Sequence, residues 1–372
     1  MRFFGKILLG GLLKSMEEYL SILNEIESHG FVAYIVGGFV RDKLLKRESK
    51  DVDIITNATP KDLSHIFNNL VTYDEYGAVK LQLNNNFIDI TTFRIELSYK
   101  NGKPDEIVYT NSLEEDIKRR DFTINTICMN SEGEIIDILN GENDINNKLI
   151  KTVRDASVEF KEDPSRLIRA LRFMSVLDFK LDQDIIDFMV KNKSEFMNIN
   201  SNKKKEELNK LFSSKKVTRF MEFIKNYGLE EYIGIKCNNY KETSYVIGAW
   251  SQIEVKDINF TKIENEQINK VKKLINKGKI TKKDIYNNGI YISLIAGDIL
   301  GIDPSLINLI YTNLPINNIN DIKITSEEII EILNIKPGKR IGITLKILEN
   351  LILDGKLEND NTAIRNKLKE LR

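Results

Sequence analysis

The chain has 372 residues, with 55 basic and 55 acidic side chains, so its formal net charge is zero and any nucleic-acid surface must be a local patch. A hydrophobic content of 41% beside 30% charged residues describes a globular chain long enough for two or more domains. His29 and His65 are the only histidines, which argues against a His-rich metal site or a Ser-His-Asp triad and leaves chemistry to carboxylates, Arg and Lys. Cys128 and Cys237 each sit among apolar residues and read as reduced core thiols, which suits a cytoplasmic protein.

At the N-terminus, "FFGKILLGGLL" is apolar but broken by Gly5, Lys6, Gly10 and Gly11. It falls short of the roughly 20 residues that span a bilayer. It reads as a loose end leading into the first helix, with no membrane span there or elsewhere. Residues 15–29 place Met16, Tyr19, Leu20, Leu23 and Ile26 at helical spacing, closed by Gly30. "FVAYIV" (31–36) predicts a strand, Gly37-Gly38 a turn into a short helix around 39–46, and "DVDIIT" (51–56) a second strand. Thr59-Pro60 opens another helix. Residues 78–93 predict a hairpin about an Asn-rich turn, and "KNGKPDE" (100–106) a mobile loop. After about residue 150 the strand signals fade, so the expected fold is α+β, a head with a small mixed sheet followed by an all-helical remainder.

Asp51 and Asp53, at i and i+2 of a strand, share one face. Two such carboxylates resist joint ionisation unless a hard cation lies between them, and Mg²⁺ is the natural one where phosphates are handled. An isolated D-x-D also fits a solvated strand end. The two glycines remove Cβ atoms where backbone N–H groups would approach a triphosphate.

The full arrangement of strand, "GGFVRD", helix and D-x-D strand resembles the nucleotidyltransferase superfamily that includes DNA polymerase β. "EEDIKRRDFTINTICMN" (114–130) narrows the resemblance to class II tRNA nucleotidyltransferases and bacterial poly(A) polymerases. Asp137 and Gly141 carry the D-x-x-x-G spacing that follows, and "EDPSRLIRALRF" (162–173) is similar to the nucleotide-selecting motif. The four motifs run in order from 36 to 173. More weakly, 332–360 resembles the tail domain through a Pro-Gly turn and a G-x-L-x-N ending. Lys46 stands where the family commonly has Gly, and 201–211 matches the family's neck helix-turn motif only in "EEL". No His-Asp dyad occurs, so the phosphohydrolase domain appended to some relatives is not expected.

The resemblance implies the addition of C, C and A to the tRNA 3′ end from CTP and ATP, without a nucleic-acid template. In that family the positions matching Asp163 and Arg166 act as a protein template for the base. Physically, a carboxylate accepting from an exocyclic amino group beside a guanidinium donating to a ring nitrogen suits cytosine and adenine and leaves buried groups unpaired against uracil and guanine. Asp163, Arg166, Arg169 and Arg172 recur every third residue and form a helical stripe. By spacing alone that stripe also fits a solvated basic face. Arg169 and Arg172 suit phosphate charge. The resemblance assigns Arg120 and Asp121 to the nucleotide, with Asp121 near the ribose. Gly37, Gly38, Arg41 and Asp42 belong to the glycine turn or the phosphates, and Asp51 and Asp53 to two Mg²⁺ ions. Asp89 is a third site carboxylate or an ordinary strand acid. Arg94 and the loop to about 110 match the loop used in switching from C to A addition.

The expected domains are a catalytic head (1–150), a neck with the selecting motif (151–215), a body (216–295) and a tRNA-binding tail (296–372). Two lysine-dense segments, 203–216 and 270–283, suit RNA phosphates or solvated helix faces. No protein partner is implied. An A-adding or CC-adding enzyme, a poly(A) polymerase and a non-catalytic RNA-binding protein on the same scaffold are the competing readings.

Overall fold

The computed structural model describes residues 16–49, 51–73, 76–83, 86–100 and 102–371. The expected loose N-terminal end lies outside them. The chain packs as two compact units: residues up to Leu211 with Arg219–Gly234, and Phe212–Thr218 with the chain from Ile235 onward.

The first unit opens with helix α1 (16–28). A mixed seven-stranded sheet follows, built from β1 (Ala33–Val36), β2 (Asp53–Thr56), β3 (Leu70–Tyr73), β4 (Ala78–Leu83), β5 (Asn86–Thr92), β8 (Cys128–Met129) and β9 (Ile135–Ile136). Its order is β3-β4-β5-β2-β1-β8-β9. Only β2 and β5 pair in parallel, which sets Asp53 beside Asp89. Val36, Ile55, Phe93, Ile117 and Cys128 form one apolar cluster of this unit. Burial pushes the Cys128 thiol up to about 12, so it is a neutral core residue as expected.

Helices α2 (Gly38–Leu44) and α3 (Pro60–Ile66) lie where the sequence puts them, and Thr59 caps α3 in a capping box with Asp62. The 78–93 hairpin also forms, as β4 and β5. The expected loop over 100–106 does not form. Those residues close a second hairpin of β6 (Arg94–Lys100) and β7 (Lys103–Tyr109), which turns at Gly102 with φ +71°. Few of its side chains are fully covered. A two-stranded ribbon with little buried surface needs few apolar residues, so its polar composition imitates a loop.

Helix α4 (Leu113–Lys118) and a 3₁₀ turn (Thr123–Asn125) lead to α5 (Gly141–Asn146). Here the D-x-x-x-G spacing gains a structural cause. The Asp137 carboxylate accepts the backbone N–H groups of Gly141 and Glu142, each at 2.8 Å. A Cβ on Gly141 would stand 2.3 Å from the Thr123 carbonyl oxygen, so only glycine lets α5 pack on the 3₁₀ turn. Beyond Ile150 the unit is mostly helical, with α6 (Ala156–Glu162), α7 (Ser165–Leu177), α8 (Gln183–Lys191), α9 (Ser201–Phe212), α10 (Thr218–Asn226) and α11 (Glu230–Ile233). It is not all-helical as expected: a short strand at Lys180–Leu181 pairs in parallel with Leu149–Ile150.

The second unit holds α12 (Val246–Ser251), α13 (Lys262–Lys277), α14 (Lys282–Leu300), α15 (Pro304–Thr312), α16 (Ser326–Leu333), α17 (Lys339–Leu353) and α18 (Asn361–Glu370). Thr261, Thr281 and Thr325 start their helices with capping boxes. Helix α14 breaks at Gly289, whose φ 75°, ψ 169° is closed to other residues. Before the break Tyr286 packs with the cluster around Leu348 and Ile364, and after it Ile292 and Ile295 pack with Val271 and Leu274. Among the described residues no helix is long and apolar enough to cross a membrane.

Candidate active site

A cavity of about 610 Å³ opens in the first unit, and every residue expected at the site lines it: Gly37, Gly38, Arg41, Asp51, Asp53, Arg120, Asp121, Asp163, Arg166, Arg169 and Arg172. The start of the central strand β2 and the residues just before it supply the acids, the link between α4 and the 3₁₀ turn supplies Arg120 and Asp121, and α7 supplies the arginine stripe. Residues more than a hundred positions apart thus share one wall.

At the acidic end, β2 begins at Asp53, two residues later than expected, and Asp51 lies ahead of it, so the pair is not set by strand periodicity, although both residues line the cavity. Both carboxylates are solvent-exposed in the cavity, and neither has an ion pair among the described residues. Desolvation raises the Asp53 carboxyl above its ordinary value, and Asp89 and Asp51 push the same way against Arg120 and Arg169. Asp89 is committed to Lys80 at 2.6 Å. Among the described residues no group of three or more His, Cys, Asp and Glu side chains is arranged to hold a metal. The site therefore offers two unpartnered oxygen-donor carboxylates, a donor set that fits a hard divalent cation completed by oxygens of another molecule.

The glycine turn differs from expectation in its cause. Gly37 has φ +80° and donates its own N–H to the Ile127 carbonyl at 3.2 Å, so that group is not aimed at a ligand. A Cβ there would meet nothing closer than 3.7 Å. The turn needs glycine for its backbone angle rather than for space. Arg41 is buried behind it, donating to Asp42 at 3.0 Å and to the Asn125 side-chain oxygen at 2.6 Å. Burial lowers its pKa while Asp42 opposes the shift.

The stripe is real, with one correction: Asp163 is not on the helix. It caps the end of α6 in extended conformation, and α7 begins after Pro164. The reason is local: Pro164 disfavours helical geometry in the residue before it. From that joint Asp163 accepts the N–H of Ser165 at 3.1 Å and its hydroxyl at 2.6 Å. Arg169 pairs with the buried Asp121 at 2.8 Å and Arg172 with Glu207 at 2.6 Å. Asp121 also accepts from the Phe122 N–H and the Asn125 amide. Burial pushes the Asp121 carboxyl up, but the Arg169 and Arg166 charges outweigh it and hold it below the ordinary value.

Several working partners escape a linear reading. Glu159, fully buried, stands between Arg154 at 2.7 Å and Arg166, which also donates to the Arg119 carbonyl at 3.0 Å. Asp116, also fully buried, takes Arg119 at 2.9 Å and Arg120 at 3.5 Å. Glu96 pairs with Arg94 and Arg119, and Tyr99 donates to it; burial first, then that bond, pushes the Tyr99 hydroxyl up to about 12. The arginine-rich wall is thus matched by buried acids, each spent on a guanidinium. Asp116 and Glu159 lie only a few residues from their guanidiniums, so the pairings had a local signal, while their complete burial is set by the fold.

Known proteins resemble this chain along most of its length. Residues 33–151 match the Poly A polymerase head domain and 252–368 match domain 2 of tRNA nucleotidyltransferases. The CCA-adding enzyme of Ligilactobacillus salivarius is 33% identical, covering 95% of this chain and 96% of its own. That of Pediococcus pentosaceus is 30% identical over 96% and 98% of the two chains. The crystal structure of the Bacillus stearothermophilus CCA-adding enzyme in complex with CTP superposes with a TM-score of 0.84 at 25% identity, over 95% of this chain and 96% of that one. Aligned along nearly its whole length with relatives at 30% identity or more, the chain belongs to the family of CCA-adding enzymes.

Proposed function

We propose that this cleft adds C, C and A in turn to the 3′ end of tRNA, using CTP and ATP and releasing pyrophosphate at each step. The observation that carries the reading is that Asp51 and Asp53 line the same cavity as Asp163 and Arg166. A nucleotide seated there has its phosphates at the acids and its base at the joint between α6 and α7.

Asp51 and Asp53 would hold Mg²⁺, which when bound there lowers the pKa of the 3′-hydroxyl and neutralises phosphate charge. Arg41, Arg120, Arg169 and Arg172 line the path between the two ends and hold the triphosphate electrostatically. The tRNA 3′-oxygen then bonds to the α-phosphorus in line as the bond to the departing pyrophosphate breaks, and positioning supplies most of the acceleration. At the other end, Asp163 accepts from the exocyclic amino group while Arg166 donates to the neighbouring ring nitrogen. Uracil and guanine would meet acceptor with acceptor and donor with donor.

Of the two lysine-dense segments, 270–283 is the better candidate for tRNA phosphates. Lys272, Lys273 and Lys279 are exposed, whereas Lys203 faces Asp163 and Lys204 donates to the Ile233 carbonyl. We assign the division into head, neck, body and tail the roles of chemistry, selection and tRNA grip, and place the enzyme in the cytoplasm because Cys128 and Cys237 are thiols outside any disulfide.

The test gives the protein tRNA ending before CCA, after C and after CC, with single labelled nucleotides. Full CCA on the shortest substrate is expected. ATP addition only to the CC end indicates an A-adding enzyme, a stop after CC a CC-adding one, and long adenylate tracts on generic RNA a poly(A) polymerase. Replacing Asp51 and Asp53 together with Ala should abolish incorporation while tRNA still binds; undiminished incorporation sinks the mechanism.

A further inference from the structure

Three guanidiniums surround one buried ring. Phe173, on α7, has the guanidinium carbon of Arg172 4.1 Å from its ring centroid, that of Arg41 at 4.9 Å and that of Arg169 at 5.7 Å. The ring is 4% exposed, borders the cavity, and meets Phe122 edge-on at 5.8 Å. The three arginines come from different places, two from α7 and one from α2, yet all line the same stretch of the cleft.

Three like charges around one side chain repel, and Arg172 does depress the Arg41 pKa. Each is anchored on one side by its own carboxylate: Asp42, Asp121 or Glu207. Those anchors lie in separate elements and do not by themselves keep the three cations close together. What the three share is the ring, whose negative π-faces attract cations, and more strongly where water is excluded. An aliphatic residue of similar size would fill the volume and supply no such attraction.

We propose that Phe173 is a positioning residue for polyphosphate: its ring gathers Arg41, Arg169 and Arg172 into one cradle for the triphosphate and the pyrophosphate it releases. The inference rests on the cleft binding nucleotide as described above. It predicts that Phe173 governs how tightly phosphate is held and not which base is chosen, since Asp163 and Arg166 do not share the ring.

The test varies the ring's electrostatics at nearly constant shape. Phe173 is replaced by 4-fluoro-, 3,5-difluoro- and pentafluorophenylalanine in the full-length protein, alongside Phe173→Leu and Phe173→Tyr. Binding of CTP, ATP and inorganic pyrophosphate is measured with Mg²⁺ present, together with KM, kcat and Tm. A graded loss of affinity with fluorine number is expected, equal for all three ligands and reaching about tenfold for the pentafluoro ring and for Phe173→Leu. The Tyr variant, which keeps an electron-rich ring, should retain more affinity than Phe173→Leu, and the ratio of CTP to UTP use should not move. Losses that follow Tm rather than fluorine number, or no loss at all, overturn the proposal. If the unsubstituted protein binds none of the three ligands, the functional reading itself fails, which is a separate outcome.

Discussion

Lys203 Nζ stands 3.3 Å from Asp163 Oδ2 and also donates to the backbone carbonyl of Gly102, so one ammonium ties the Asp163 carboxylate to the turn of the β6–β7 hairpin. The approach is close: a Cβ on Gly102 would lie 2.7 Å from Asp163 Oδ1. Both charged side chains keep some solvent contact, so the pair stabilises the fold by no more than about 1 kcal/mol. Its effect is on local opening of the hairpin. Lys203→Met should raise amide exchange in β7 about tenfold while shifting Tm by less than roughly 2 °C. Unchanged exchange at Lys103–Tyr109 would show that the hairpin is held by other means.

Glu159 is the hidden support of Arg166. With no solvent contact and guanidiniums on two sides, it fixes the arginine from behind, while Arg154 is held in turn by Glu162. Removing one partner of a buried pair costs about 3–5 kcal/mol, because the other charge is left without compensation. Glu159→Gln keeps a carbonyl acceptor, so roughly half that loss is expected. The sharper readout is selectivity: with Arg166 loosened, UTP incorporation relative to CTP should rise about tenfold. A variant that loses stability but keeps its selectivity would make Glu159 a core residue only.

Asp53 gives a pH signature. Its carboxyl sits above the ordinary 3.8 in the fold, first through desolvation and then through Asp89 and Asp51, although Arg120 and Arg169 pull the other way. The unfolded chain therefore releases this proton at lower pH than the folded one. Folding is penalised as pH rises from 3.8 through the folded value, and the penalty is fully present at neutral pH. Asp53→Asn should raise Tm at pH 7 without divalent cation, and the gain should vanish as the pH falls below 3.8. Adding Mg²⁺ should stabilise the natural protein and leave the variant nearly unmoved. A variant less stable than the parent at pH 7 would contradict this account.

Most of the site could be read in the sequence because its motifs are short and local. A glycine pair, a D-x-D and an arginine every third residue each declare themselves within a turn of chain. The α3 helix was announced by Thr59-Pro60, and the β4–β5 hairpin by alternation on either side of its turn. What stayed hidden is burial. Asp116 meets Arg119 and Arg120 within a turn of chain, and Glu159 meets Arg154 and Arg166 a few residues to either side. The same spacings suit exposed ion pairs, so nothing in the local sequence says that either acid is enclosed. The β6–β7 hairpin was missed because a ribbon with little buried surface carries no apolar pattern. The helical placement of Asp163 failed because its spacing to Arg166 fits a helix, while the following proline forbids it.

Lys46 is the departure from family pattern that the backbone explains. It follows α2 with φ 56°, its N–H donating to the Lys43 carbonyl at 3.0 Å, in the left-handed position where helices commonly end on glycine. A residue with a Cβ pays about 1–2 kcal/mol there. Its side chain is exposed, so little packing offsets that cost. Glycine would relieve the strain but give the unfolded chain more freedom, worth about 0.5–1 kcal/mol in the opposite direction. Lys46→Gly should therefore stabilise the first unit by about 0.5–1 kcal/mol, read as a shift in the denaturant midpoint with unchanged slope. Lys46→Ala keeps the Cβ and should gain nothing. If Ala and Gly stabilise equally, the cause lies in the lysine's charge beside Arg47 and not in the backbone angle.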